Sequence, residues 1–411
     1  MNFKRKLWWA QHRTDVYKYG TILSLVLIVT ISIIYFTYSK FTSKNEMTAY
    51  ETTVEPFIKN DYFIASYIDG EWSNEIPGKN DGYVVDKIVC DNGAVGTWDN
   101  DEWGINIRNA TKKIKCSVFF IVKPVSVIEK ITTLAKTDTT NFATDDPDNN
   151  IRYIGANPNN YVYFNCSDYN NQSDSTCEKW RIIGVFKKMS KNYLSKEDLV
   201  KIIRNDSLGD IAWDRNDVND WSKASLQTTL NGEYYNGTYK TGALKNDATR
   251  NAIESVVWNL GGTASYGSGS NVLASHFYGY ERGTTVYSGN APTWTGKIGL
   301  MYPSDYGYAT SGGTTTNRAT CLVTTLALNG WAESSDCYNN DYLHRDHQWT
   351  LTHSSSGSIN VYIVYGGGNV SYDHADKTNK SVRPAAFLKS NILLSGVGDG
   401  SSNSPYQLKV G

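Results

Sequence analysis

Five of the six histidines in this 411-residue chain lie in its C-terminal part: His276, His344, His347, His353 and His374. His344-Arg-Asp-His347 has the spacing of a metal-ligand pair, with Asp346 and His353 nearby. A zinc site needs a third protein ligand converging on such a pair, and this segment reads as a loop rather than a helix carrying HExxH. The expectation is an exposed polar loop and no metal. Asp214-Arg-Asn216-Asp217-Val-Asn219-Asp220 offers oxygens of the kind Ca²⁺ takes, but lacks the glycine and terminal glutamate of an EF-hand loop. Capping of a helix before Trp221 explains Asn219 or Asp220 equally well. No G-x-S-x-G, Walker A or dinucleotide fingerprint occurs. The chain is therefore expected to have no catalytic constellation and no cofactor, and not to be an enzyme.

The 6 cysteines, Cys90, Cys116, Cys166, Cys177, Cys321 and Cys337, all follow the only long apolar stretch. No CxxC or CxxH spacing is present, so disulfides are favoured over zinc. Six cysteines allow 15 connectivities. Pairing of sequence neighbours, 90–116, 166–177 and 321–337, keeps each bridge inside one local stretch.

These residues need a compartment and a scaffold. Residues 20–39 carry no charge, and a helix of that length spans roughly 30 Å, the thickness of a bilayer core. Lys4, Arg5, Lys6, Arg13 and Lys18 precede it against a single Asp15, with Trp8, Trp9 and Tyr17 as interfacial anchors. The positive-inside rule keeps residues 1–19 in the cytoplasm and exports everything after Lys40, making a single-pass protein of the cell membrane. A cleaved signal peptide is the competing reading, but the stretch exceeds the usual h-region and no small-x-small site follows it. A net charge of −1, from 40 Lys+Arg and 41 Asp+Glu, argues against nucleic acid as a partner. The 12 Trp, 29 Tyr and 12 Phe supply a folded core, so the bulk of the chain is not disordered.

Beyond a linker at 40–50, residues 51–122 alternate in short strands: YFIASYID, GYVVDKIVC, WGINIRN and KIKCSVFFIV. Turns such as Asp91-Asn92-Gly93 separate them, so a small β-sandwich-like module, a stalk, is expected. In 123–150, Val127, Ile128, Ile131 and Leu134 have helical spacing before an acidic, Asn-rich stretch that reads as linker. Residues 151–411 form the head. YVYFN and EKWRIIGVF read as a hairpin stapled by Cys166 and Cys177. Ser195-Lys-Glu-Asp198 resembles a capping box ahead of a helix with Leu199, Ile202 and Ile203. Trp221 precedes a second helix with Leu226 and Leu230. Ile253, Val256, Val257 and Leu260 suggest a third, ending at Gly261-Gly262. IGLMYPSDYGYA, WTLTHSSS, INVYIVYGGGNV and SVRPAAFL read as strands between long polar loops. The fold class is α+β: a head with an irregular antiparallel sheet and long loops, preceded by a small all-β module and one N-terminal transmembrane helix.

The order WRIIGVF, a Trp-containing helix ending LNGEYY, LMYPSDYGYA, WTLTHSSS and VRPAAFL resembles the C-type-lectin-like fold. Formylglycine-generating enzymes, bacterial major-paralogous-domain proteins and variable proteins of diversity-generating retroelements share that fold. The likeness covers the head and is strongest from Trp349 to Leu388, where Gly367-Gly368-Asn369-Val370 and Val382-Arg383-Pro384 follow an alternating strand. The oxidase branch uses a cysteine pair near the C-terminus; here Cys321 and Cys337 precede the Trp349 motif and read as structural. The variable-protein branch presents polar and aromatic residues on its last sheet. That resemblance implies a ligand face made of Asn360, Tyr362, Val364 and Trp349, with Tyr372, Asp373, His374 and Asp376 in the following loop. Period-2 alternation puts Val361 and Ile363 in the core and Asn360, Tyr362 and Val364 outward. Tyr, Ser, Gly and Asn are also the residues of antibody-type binding loops. Arg383, in an apolar segment before Pro384, offers either a ligand contact or, as the favoured expectation, a buried ion pair.

The expected function is a membrane-anchored bacterial cell-surface binding protein, adhesin-like, whose partners are the membrane through residues 20–39 and an extracellular protein or glycan. Two alternatives stand. A pseudopilin-like subunit is suggested by Gly20-Thr-Ile-Leu-Ser24 after Lys18-Tyr19, although Ser24 or Leu25 stands where that family has Glu. The other is an oxidase of the formylglycine-generating type.

Overall fold

The computed structural model describes residues 12–15, 17–32, 62–110, 113–191, 195–264, 272–327, 329–345 and 347–410. The expected tail (residues 1–11), the end of the apolar stretch (33–39), the linker at 40–50 and residues 51–61 lie outside them, as do Asp346 and the loop at 265–271. One helix, His12–Ser32, is long and apolar enough to cross a membrane, with mean hydropathy 1.3 over its most apolar window. The chain divides into two compact units, Met1–Lys123 and Pro124–Gly411.

In the first unit a four-stranded sheet runs in the order Glu71–Ser73, Tyr62–Ile68, Ile114–Val122, Tyr83–Cys90. Ile114, Cys116, Val118 and Phe120 alternate inward along one strand, as period 2 requires. They pack with Ile105 from the hairpin Val95–Asp99/Gly104–Arg108. Trp98 stands edge-on to Trp103 and Phe120. Cys90 and Cys116 are directly opposite in the ladder and bonded. Asn92 and Gly93 take positive φ in the turn between strands.

The second unit is α+β. Its main sheet runs Ile253–Glu254, Ala385–Leu388, Lys196–Arg204, Glu178–Ser190, Ile151–Tyr153, Phe142–Ala143, and Tyr161–Phe164 also pairs with Glu178–Ser190. A separate antiparallel sheet is formed by Gln348–His353, Asn360–Val364 and Val370–His374. The Cys166–Cys177 bridge closes the hairpin loop and Cys321–Cys337 joins two short helices, so all three bridges join sequence neighbours.

Several elements differ from the sequence reading. The segment after Ser195 is a strand, not a helix: Leu199, Val200, Ile202 and Ile203 are buried in mid-sheet, where a run covered on both faces loses its alternation. Asp198 caps nothing and accepts from the Lys188 N–H. Ile253, Val256 and Val257 are likewise in strands, after a helix Asp247–Ala252 capped by Asn246. PSDYGYA is a helix, Pro303–Ala309, with proline in its first turn and Asp305 accepting from the Tyr302 N–H. The helix at Trp221 is short, Ser225–Thr229, and continues as a π-turn over Leu230–Tyr234. The stretch 124–150 belongs to the head: Ser126 caps the helix Val127–Leu134, and Val127 and Ile131 lie in the head core.

Candidate ligand-binding surface

The strand Asn360–Val364 is the middle of the three-stranded sheet, and Val361, Tyr362, Ile363 and Val364 are all buried. The expected outward face of Tyr362 packs on the helix Ala274–Glu281, and Val364 is fully buried. The Tyr362 ring stands edge-on to Phe277 at 5.3 Å, and its hydroxyl donates to the Thr263 carbonyl. Trp349 is buried as well, its indole N–H donating to the Ile211 carbonyl. Tyr362, Val364 and Trp349 are therefore core residues and not ligand contacts. Asn360 is half-buried, and its carbonyl accepts from Asn219.

The outer strand Val370–His374 keeps the expected accessibility. Tyr372 is 42% exposed opposite Tyr362 in the ladder, and Tyr365 at the turn is 44% exposed. Asp373 is partly buried, which raises its pKa, but the Lys380 ammonium at 2.8 Å and the His374 N–H hold it below the ordinary carboxylate value. His374 and Asp376 meet Asp217, which sits in the left-handed region at φ 55°. One ligand atom from each of the three lies within 4.8 Å of the others, close enough to share one divalent ion. A hydrogen bond between His374 Nδ1 and Asp217 at 3.2 Å and the Asp376 N–H donated to Asp217 account for the same grouping without a metal.

The Asp214–Asp220 loop is otherwise committed. Asp214 accepts from the N–H groups of Asn216, Val218 and Ser225. Asn219 donates to the carbonyls of Ser354, Gly357 and Asn360, tying this loop to the sheet. Among the described residues the other histidines belong to no group that could hold a metal. His344 packs on Tyr338, His347 on Tyr365, and His353 is buried against the Ser354 carbonyl with its pKa pushed down by burial. Arg383 is buried but makes no ion pair among the described residues. It donates from Nε to the Arg204 carbonyl and from Nη1 to Gln348 Oε1.

Sequence reasoning missed a buried charge network, signalled only by single charges inside apolar runs. Gly184 lets two strands close up, since a Cβ there would lie 2.1 Å from the Ile151 carbonyl, and so seats Arg152 in the core. Arg152 pairs with Asp146 at 2.7 Å and Asp305 at 2.8 Å, and Lys201 with Asp305 at 2.5 Å, all with side chains buried. Burial alone would raise Asp305, but Lys201 and Arg152 bring it down to about 2. Glu281 accepts from the Ser304 N–H and hydroxyl and from Arg282, yet burial pushes it up to about 7. A cavity of about 160 Å³ lies beside the network, lined by Asp148, Lys187, Lys188, Tyr278 and Arg282 among others. The network ties Arg152 and Lys201 of the main sheet to Asp305 in the helix Pro303–Ala309.

Comparison with protein-family models, with curated proteins and with solved structures gives no match to this chain.

Proposed function

We propose that this chain is a membrane-anchored bacterial surface protein, adhesin-like and non-enzymatic, whose C-type-lectin-like head binds an extracellular protein or glycan. The spanning-length helix and three disulfides fit an exported, oxidised chain. The observation that carries the reading is the edge of the three-stranded sheet. Tyr372 is exposed there two residues before His374, which meets Asp217, and Tyr365 is exposed at the turn at the other end of the same strand, on a sheet whose central residues 361–364 are buried. Rigid aromatic rings beside adaptable polar groups suit recognition, because little entropy is lost on contact.

The test is binding of the full-length chain, in nanodiscs, to arrays of glycans and surface proteins. Tyr372→Ala and Tyr365→Ala should each weaken a hit about tenfold, the loss of roughly 1.4 kcal/mol, while the circular dichroism spectrum stays unchanged. A blank array, or hits indifferent to both changes, overturns the reading.

A further inference from the structure

Three arginines from distant parts of the chain lie in the head with no carboxylate paired to them among the described residues. Arg181 lies opposite Ile203 in the main sheet, and Ile203 lies opposite Ala385. Arg383, two residues before Ala385, therefore shares a sheet face with Arg181. The Arg181 guanidinium stacks on Tyr161 at 3.8 Å and Tyr342 at 4.8 Å, and Arg345 follows three residues after Tyr342 on an exposed loop.

Among the described residues every hydrogen-bond partner of these groups is neutral. Arg181 donates to Asn160 Oδ1 and the Pro158 carbonyl, and Arg345 to the His344 carbonyl. Arg383 is 1% exposed, and its Nη2 has no hydrogen-bond partner; neither has Nε2 of fully buried Gln348, whose Oε1 Arg383 already holds. Among the described residues none of the three arginines lies within 4.0 Å of a carboxylate. Two described acids that act on these arginines do not compensate them. Asp206 is exposed and held by Asn205, and burial raises Asp341 well above its ordinary value, toward the neutral acid. Burial first, and then Arg345 and Arg181, push Arg383 down to about 9. Unpaired buried charge is costly, and two buried donors left without acceptors add to that cost.

We propose that Arg181, Arg345, Arg383 and Gln348 form a receptor for an oxyanion, a carboxylate or sulfate group carried by a ligand of the head. Guanidinium forks match such groups in a planar, two-point fashion that a lysine would not offer. Arg345 stands at the solvent end, beside His347, whose left-handed backbone (φ 50°) turns its ring onto exposed Tyr365. Local backbone strain of this kind is held where the surroundings over-determine it. The site stands apart from the receptor reading above: anion binding is read on the free protein, and the arrays can fail without touching it.

The experiment titrates the full-length protein in nanodiscs with sodium sulfate, acetate and glucuronate at constant ionic strength, with chloride as reference. Thermal unfolding and calorimetry are the readouts. Wild type should show saturable binding of at least one oxyanion at millimolar concentration and a rise in Tm that chloride does not give. Arg345→Ala, exposed and so tolerated by the fold, should weaken that binding at least tenfold. Glucuronate binding tenfold tighter than acetate would assign the group to an acidic sugar, and equal binding would assign it to the carboxylate or sulfate alone. Arg383→Met tests the buried end: it should abolish the anion-dependent rise in Tm, and if it does not fold, Arg345→Ala decides. Oxyanions acting only as chloride does, or unchanged binding in Arg345→Ala, overturn the proposal.

Discussion

Replacement of Glu281 by glutamine should stabilise this protein at alkaline pH and not at acid pH. Glu281 is fully buried, and burial raises its pKa from 4.5 to about 7 although Arg282 and Ser304 favour the anion. A carboxyl with a raised folded-state pKa binds its proton more tightly in the native state. Its contribution to stability is therefore complete below pH 4.5 and is lost as pH rises through 7. Between pH 5 and pH 8 the loss comes to about 2.5 kcal/mol, from the two pKa values and 1.36 kcal/mol per unit. Glutamine keeps the shape and still accepts from Ser304 but does not titrate. Whatever Glu281→Gln costs at pH 5 should thus be offset by about 2.5 kcal/mol at pH 8 relative to wild type. Urea unfolding followed by near-ultraviolet circular dichroism at the two pH values measures the difference. An equal shift of midpoint at both would mean that the carboxyl does not titrate in this window, and the desolvation argument would fail.

Two further outcomes follow from burial. Asp305→Asn should destabilise the head by about 3–5 kcal/mol, since it strands buried Lys201 and leaves Arg152 with Asp146 alone; a loss below about 1 kcal/mol would show that water replaces the carboxylate. Tyr362→Ala should cost about 3–5 kcal/mol of stability, while Tyr372→Ala stays within about 0.5 kcal/mol in the same thermal-unfolding series. Equal losses would contradict the burial of one ring and the exposure of the other.

The stalk strands were legible because each has one wet face: Ile114, Cys116, Val118 and Phe120 alternate with Lys115, Ser117 and Phe119. Alternation disappears where both faces are covered, so Leu199–Ile203 imitated a helix and Tyr362 imitated a surface residue. IGLMYPSDYGYA read as a strand, yet Pro303 starts a helix whose first turn is held by Asp305 accepting from the Tyr302 N–H. The candidate site was half legible. Tyr372, Asp373 and His374, expected in a loop, form the strand Val370–His374 and only Asp376 follows it, and the meeting of His374 and Asp376 with Asp217 joins positions 157 and 159 residues apart. Arg152 and Asp305, 153 residues apart, show the same limit: each is visible as a charge in an apolar run, and their pairing exists only in three dimensions.

The cysteine bridges span 26, 11 and 16 positions and never interleave. A chain emerging N-terminus first into an oxidising space would complete each bridge before the next pair arrived, so the native connectivity is the one that order of arrival produces. Maturation of this protein then needs an oxidant for its thiols but no reshuffling of wrong bridges.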